Sequence, residues 1–77
     1  MPPKLGVFSG VEICRILERN GFVNVRQRGS HCVMQATAPD IGTITVPVPL
    51  HREIRTGTLL SIIRQSGLPR TFFEVGR

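Results

Sequence analysis

The residues best suited to chemistry stand together at positions 26–31, Arg26-Gln27-Arg28-Gly29-Ser30-His31. This stretch combines two guanidinium groups with one of the two histidines of the chain. An imidazole can accept the proton of a ribose 2′-hydroxyl, while an arginine binds the neighbouring phosphate and stabilises the charge that develops on it. The stretch therefore has the groups needed to cleave RNA to a 2′,3′-cyclic phosphate without a metal ion.

The same residues also fit a strand-end histidine beside solvated arginines, and their types alone do not decide between the two interpretations. Ser30 has little support as a nucleophile, because no acidic residue is placed to orient His31 in a triad. His51 could supply a second group, either as the acid for the leaving oxygen or as a phosphate contact. It could equally be a loop residue that bonds to nearby backbone.

A β-hairpin is predicted to position these groups, with strands over about residues 22–28 and 31–37. Gly29-Ser30 fits a type II′ turn, because glycine tolerates the positive φ at the first turn position. Such a turn fixes three cross-strand pairs on one polar face: Arg28 with His31, Arg26 with Val33, and Asn24 with Gln35. The opposite face would receive an apolar set that packs on the helices: Val23, Val25, Cys32, Met34 and Ala36.

Two amphipathic helices are predicted, one before and one after the strands along the chain. The first covers about residues 10–20; Ser9 and Glu12 have the spacing of a capping box, Phe8 lies at the staple position, and Gly21 is the expected stop. The second covers about residues 58–66, with Thr56 or Thr58 as its cap and Gly67 as its stop.

A third strand is predicted over about residues 43–48, with Thr43 and Thr45 on the polar face. Pro47 lacks an amide hydrogen, so this strand should lie at an edge of the sheet. Residues 1–8 are expected to be a lead-in, where Pro2 and Pro3 oppose regular structure, and Pro69 can open a short last helix over about 70–75. The order predicts one α+β domain over residues 1–77, with a three-stranded antiparallel sheet, both helices on one face and the other face open.

Charge and composition narrow the class of protein. The net charge is +5 in 77 residues, and nine of the ten basic residues are arginine, which favours a polyanion or an acidic protein as partner. With four Phe and no Tyr or Trp, the chain lacks the base-stacking platforms of RRM or OB readers. Cys14 and Cys32 lack metal-ligand spacing and are expected to be small buried hydrophobes. We expect a cytoplasmic protein without a membrane partner, because no apolar run approaches the roughly 20 residues of a membrane span and no signal peptide is evident. We expect no metal or other cofactor, because the sequence offers no plausible metal cluster.

Several segments across the chain carry a family resemblance. They are Ser9-Gly10, Asn20-Gly21-Phe22, Val25 through His31, Thr45-Val46-Pro47, His51, and Gly57-Thr58-Leu59 leading into Ile62 through Leu68. In these segments the chain resembles the HicA (YcfA-like) toxins of HicAB toxin–antitoxin systems.

The resemblance implies an α-β-β-β-α fold like that of double-stranded-RNA-binding domains. It also implies a metal-independent endoribonuclease that cuts mRNA, with His31 as the catalytic histidine. Together with the polar face, it makes five residues candidates for RNA contacts: Arg26, Arg28, Ser30, Gln35 and His51. The implied partner is a HicB-type antitoxin that covers the active face, so the toxin alone should be monomeric and should form a hetero-oligomer with the antitoxin.

Two other functions fit the same fold. The chain could be a catalytically silent RNA-binding module, in which the arginines matter more than His31. Alternatively, the basic face could serve mainly to dock an acidic antitoxin.

Overall fold

A computed structural model describes residues 4–75. In chain order its elements are β1 (Lys4–Leu5), α1 (Gly10–Arg19), β2 (Val23–Arg28), β3 (His31–Ala38), β4 (Gly42–Pro49), α2 (Thr56–Ser66), a 3-10 helix (Arg70–Phe73) and β5 (Glu74–Val75). The main sheet is antiparallel in the order β2-β3-β4, and β1 pairs with β5 in a second small sheet. The predicted α+β fold and its helix–strand order are confirmed.

The start and end of α1 follow the predicted local signals. The Ser9 hydroxyl accepts a hydrogen bond from the Glu12 amide at 3.1 Å, and the Glu12 carboxylate accepts one from the Ser9 amide at 2.8 Å. This reciprocal capping box satisfies two backbone donors at the helix start. Gly21, just past the last turn, adopts a φ of +91°, a conformation that glycine tolerates without a Cβ clash.

The start of α2 differs from the prediction. The helix begins at Thr56, and the N-cap is Arg55, whose side chain makes no capping hydrogen bond. The prediction that Thr56 or Thr58 is the cap was therefore wrong. Both threonines are already inside the first helical turn, because the backbone turns helical one residue after the extended Arg55. Gly67 ends the helix in the left-handed conformation with a φ of +72°, as predicted.

The terminal segments are more regular than expected. Lys4 and Leu5 form β1, a short strand that the predicted lead-in over residues 1–8 did not include, while residues 6–8 have no regular structure. Met1, Pro2 and Pro3 lie outside the described residues. The Gly6 amide donates to the Phe73 carbonyl at 2.8 Å, next to the β1–β5 pair. The predicted last helix exists as a single 3-10 turn, Arg70–Phe73, and the chain then becomes extended.

Both helices pack on one face of the main sheet, where they enclose the core. The buried apolar residues are Ile13, Cys14, Leu17, Phe22, Cys32, Met34, Val46, Val48, Ile54, Leu59, Ile62, Ile63 and Phe73. The other side, which we call the open face, presents Val23, Arg26 and Arg28 of β2, His31, Val33, Gln35 and Thr37 of β3, and Thr43, Thr45, Pro47 and Pro49 of β4.

A β-bulge at Val25 changes the predicted faces of β2. Val23 pairs with Gln35 and Asn24 pairs with Met34, whereas Arg26 already pairs with Val33. The predicted Asn24–Gln35 pair was therefore wrong, and so was the burial of the two valines, since Val23 is 60% and Val25 is 48% exposed. The extra residue reverses the alternation, so that the side chains before it change faces.

The hydrogen-bond pattern of the hairpin determines the outer edge of β4. Arg28 and His31 flank a two-residue turn, so they form the pair that exchanges both backbone hydrogen bonds. The backbone groups of His31 and Val33 therefore point toward β2, and their β4 partners, Pro49 and Pro47, form non-hydrogen-bonded pairs with them. Each proline nitrogen points away from the sheet, which confirms the prediction that β4 is an edge strand.

A matched glycine pair tests the contact between α1 and the end of β4. The Gly10 amide donates to the His51 carbonyl at 2.9 Å, and a Cβ at Gly10 would overlap the Pro49 carbonyl and lie 2.8 Å from Leu50 Cα. Gly10→Ala should lower the free energy of unfolding by about 1–3 kcal/mol, because backbone atoms cannot move aside easily. Urea denaturation with circular dichroism measures the change.

Gly57→Ala is the control, because Gly57 lies in the first turn of α2, where an added Cβ would meet no atom within 4 Å apart from its chain neighbours and its own helix backbone. It should stabilise the protein by up to about 0.5 kcal/mol, since alanine restricts the unfolded chain. Equal effects of the two substitutions would contradict the close packing of α1 against β4.

Candidate functional site

His31 and Arg28 are direct neighbours on the open face. The β2–β3 register pairs them, as predicted, and both side chains are exposed. Cross-strand partners have Cβ atoms about 4.5–5.5 Å apart, so the imidazole and the guanidinium can act on one small group. Arg26 pairs with Val33, one pair further from the turn on the same face, also as predicted.

Pro49 is the neighbour of His31 on the other side. It pairs with His31 across the β3–β4 ladder. Its ring is rigid and offers no hydrogen-bond donor, so it limits the space beside the imidazole without competing for a polar ligand. Pro49 lies just beyond the strand predicted over about residues 43–48 and was not among the predicted site residues, although alternation continued from Thr45 places it on the open face.

Two backbone hydrogen bonds hold Ser30 and His51 at the His31 end of the sheet. The Leu50 amide donates to the Ser30 carbonyl at 2.6 Å, and the Gly10 amide donates to the His51 carbonyl at 2.9 Å. Pro49 pairs with His31, and His51 follows Pro49 by two residues. The segment that carries His51 is therefore fixed to both the hairpin turn and α1. Both histidines and Ser30 are exposed.

Gln35 lies further away than the other predicted contact residues. It is on the open face, but four residues along β3 separate it from His31, which corresponds to about 13 Å. Its side-chain amide donates to the Thr45 hydroxyl at 3.2 Å, and this contact connects β3 with β4. The structure therefore places Arg28 directly beside His31, with Ser30 next to it in the turn and Arg26 one pair further along. His51 lies at the same end of the sheet, while Gln35 stands apart.

The open face is basic and contains no acidic residue. β2, β3 and β4 together include no Asp or Glu, and neither Arg26 nor Arg28 forms an ion pair within the described residues. Their guanidinium groups are therefore available to a ligand. Two neighbouring arginines without acidic partners suit phosphate groups, which accept bidentate hydrogen bonds from arginine.

The cysteines belong to the core and not to this face. Cys14 and Cys32 are free thiols, both buried. Burial raises the pKa of the Cys14 thiol to about 12, and the neighbouring Cys32 thiol adds to the shift. Within residues 4–75 no three His, Cys, Asp or Glu side chains stand together as candidate metal ligands.

The fold and this site define a small α+β domain with a histidine and two arginines on an open sheet face. Residues 10–68 match the family described as "HicA toxin of bacterial toxin-antitoxin". The match covers most of the chain, so this protein belongs to the HicA toxin family, and its partner class is an antitoxin. No curated protein matches the chain. In the part of the chain that the structure describes, every helix is too short or too polar to cross a bilayer.

Because both thiols are buried, we expect them to be labelled slowly by thiol reagents. At pH 8 iodoacetamide should leave Cys14 almost unmodified in the folded protein, because the raised pKa keeps the reactive thiolate scarce until the pH approaches about 12. Labelling should be complete within minutes in concentrated urea, where burial is lost. Mass spectrometry of the intact protein counts the added groups, and rapid labelling of Cys14 in the folded state would contradict its burial.

Proposed function

We propose that this HicA toxin is a metal-independent endoribonuclease that cleaves mRNA and is neutralised by a HicB-type antitoxin. In this proposal His31 is the general base, and Arg28 and Arg26 contact phosphate. The observation that carries the proposal is the direct pairing of Arg28 with His31 on an open face without acidic residues.

The proposed reaction is an internal transfer within the RNA strand. His31 removes the proton from a ribose 2′-hydroxyl, and the resulting oxygen attacks the adjacent phosphorus. The 5′-oxygen of the next nucleotide leaves and takes up a proton, which yields a 2′,3′-cyclic phosphate and a 5′-hydroxyl. Arg28 would stabilise the negative charge that builds on the phosphate oxygens, and His51 is the candidate acid for the leaving oxygen.

One observation favours a second candidate, a non-catalytic RNA-binding module. No side chain among residues 4–75 hydrogen-bonds to the His31 ring, whereas a general base is usually oriented by a partner. In that module the arginines would hold the phosphates and His31 would contribute little. The two candidates therefore differ in what the loss of His31 does to cleavage.

His31→Ala should lower the rate of RNA cleavage by about 100-fold or more, because general bases contribute about 10²–10⁴-fold. The assay uses a long RNA with the purified protein in EDTA, and growth arrest after induction provides a second readout. His51→Ala is the comparison at the same end of the sheet and should cause a smaller loss. Full activity of His31→Ala would contradict the proposed base, and binding without cleavage by the unmodified protein would support the silent module.

Arg28→Ala should weaken RNA binding and also flatten its dependence on salt. Each phosphate contact to a single strand contributes about 0.7 to the slope of log affinity against log salt, so losing one contact should reduce the slope by about that amount. Arg64→Ala is the matched control, because Arg64 lies on α2, away from the open face, where its guanidinium donates to Ser61. Equal slopes for the two variants would exclude Arg28 from the RNA contact.

A further inference from the structure

The two outer edges of the main sheet differ in their ability to accept another strand. Along β4, Pro47 and Pro49 occupy positions whose nitrogens point outward, so these positions have no N–H to donate. The β2 edge, Val23–Arg28, contains no proline, and all six residues are exposed. An unpaired edge of this kind is a template for pairing with another chain.

Gln27 presents the available backbone groups on the β2 edge. It pairs with Cys32, directly after the hydrogen-bonded Arg28–His31 pair. Pairs alternate along an antiparallel ladder, so the N–H and C=O of Gln27 point away from β3 and toward solvent. An added strand could therefore exchange backbone hydrogen bonds with this residue.

A cleft lies beside this edge on the helix side. It measures about 210 Å³, and its lining includes Val11, Cys14 and Arg15 of α1, Asn24 and Gln27 of β2, and Cys32 of β3. Successive side chains of an added strand would point alternately into this cleft and toward the open face. Backbone pairing combined with a side-chain cleft is the arrangement by which proteins capture extended segments of a partner.

Charge indicates the chemistry of that segment. On the open-face side the strand would lie beside Arg26 and Arg28, which have no acidic partner within the described residues. On the cleft side the positive charge of Arg15 and the negative charge of Glu18 offset each other, so the cleft lining carries no net charge. The fitting segment therefore carries acidic side chains at alternate positions, with small uncharged side chains between them.

We propose that the antitoxin adds such an acidic extended strand to the outer edge of β2. The strand would bind Arg26 and Arg28 through its carboxylates and thereby occupy the groups that face His31. This inference rests on the family's antitoxin partner, not on cleavage of RNA, so its failure would leave the proposed nuclease untouched.

A set of proline and alanine variants tests the proposed strand pairing. Gln27→Pro removes the outward N–H and should weaken binding of a HicB-type antitoxin that binds the unmodified protein by about tenfold or more, measured by titration calorimetry. Gln27→Ala removes only the side chain, and Thr45→Pro removes the equivalent outward N–H on the β4 edge. Both controls should stay within about threefold. Unchanged affinity of a folded Gln27→Pro protein, or an equal loss in Thr45→Pro, would overturn the proposal.

Hydrogen exchange of the unmodified protein gives an answer even if Gln27→Pro does not fold. The Gln27 amide should exchange rapidly in the free protein and become at least about tenfold slower in the antitoxin complex. An amide that stays unprotected in the complex would rule out strand addition. Protection that appears without antitoxin and grows with protein concentration would identify a second copy of this chain as the occupant and would equally overturn the proposal.

Discussion

Phe22 and Arg26 are four residues apart, so a regular strand would place both side chains on the same face of the sheet. Their chemistry requires opposite faces, because Phe22 is 3% exposed in the core whereas Arg26 and Arg28 need solvent or a ligand. The bulge at Val25 resolves this conflict by adding one residue to the alternation. The cost is a solvent-exposed Val23. The side-chain oxygen of Asn24, Oδ1, accepts a hydrogen bond from the Arg26 backbone amide at 3.2 Å and thereby supports the bulge.

The two-residue turn determines which cross-strand pairs of the sheet are hydrogen-bonded. It makes Arg28 and His31 a hydrogen-bonded pair, and this choice propagates through the sheet. It directs the nitrogens of Pro47 and Pro49 outward, so that prolines are tolerated in β4 without losing bonds to β3. The same turn thus places the histidine beside an arginine, closes one edge of the sheet and leaves the other edge free.

Local signals were enough to predict much of the fold. Ser9 and Glu12 interact within one helical turn, and Gly21 and Gly67 end helices through their own backbone conformation. The Arg28–His31 pair followed from a turn of two residues. In contrast, β1 and β5 contain two residues each, too few to show a periodic pattern, and they pair across nearly the whole chain. The N-cap of α2 was also not predicted, because Arg55 is not a typical cap residue.

The sequence by itself determined the helices, the hairpin, and the neighbourhood of Arg28 and His31, because these depend on contacts between residues close along the chain. Tertiary structure decided the face of each residue before the bulge, since burial of Phe22 in the shared core outweighs regular alternation. It also decided that His51 lies at the His31 end of the sheet. That placement depends on Gly10 approaching the Pro49–His51 backbone so closely that a side chain would not fit.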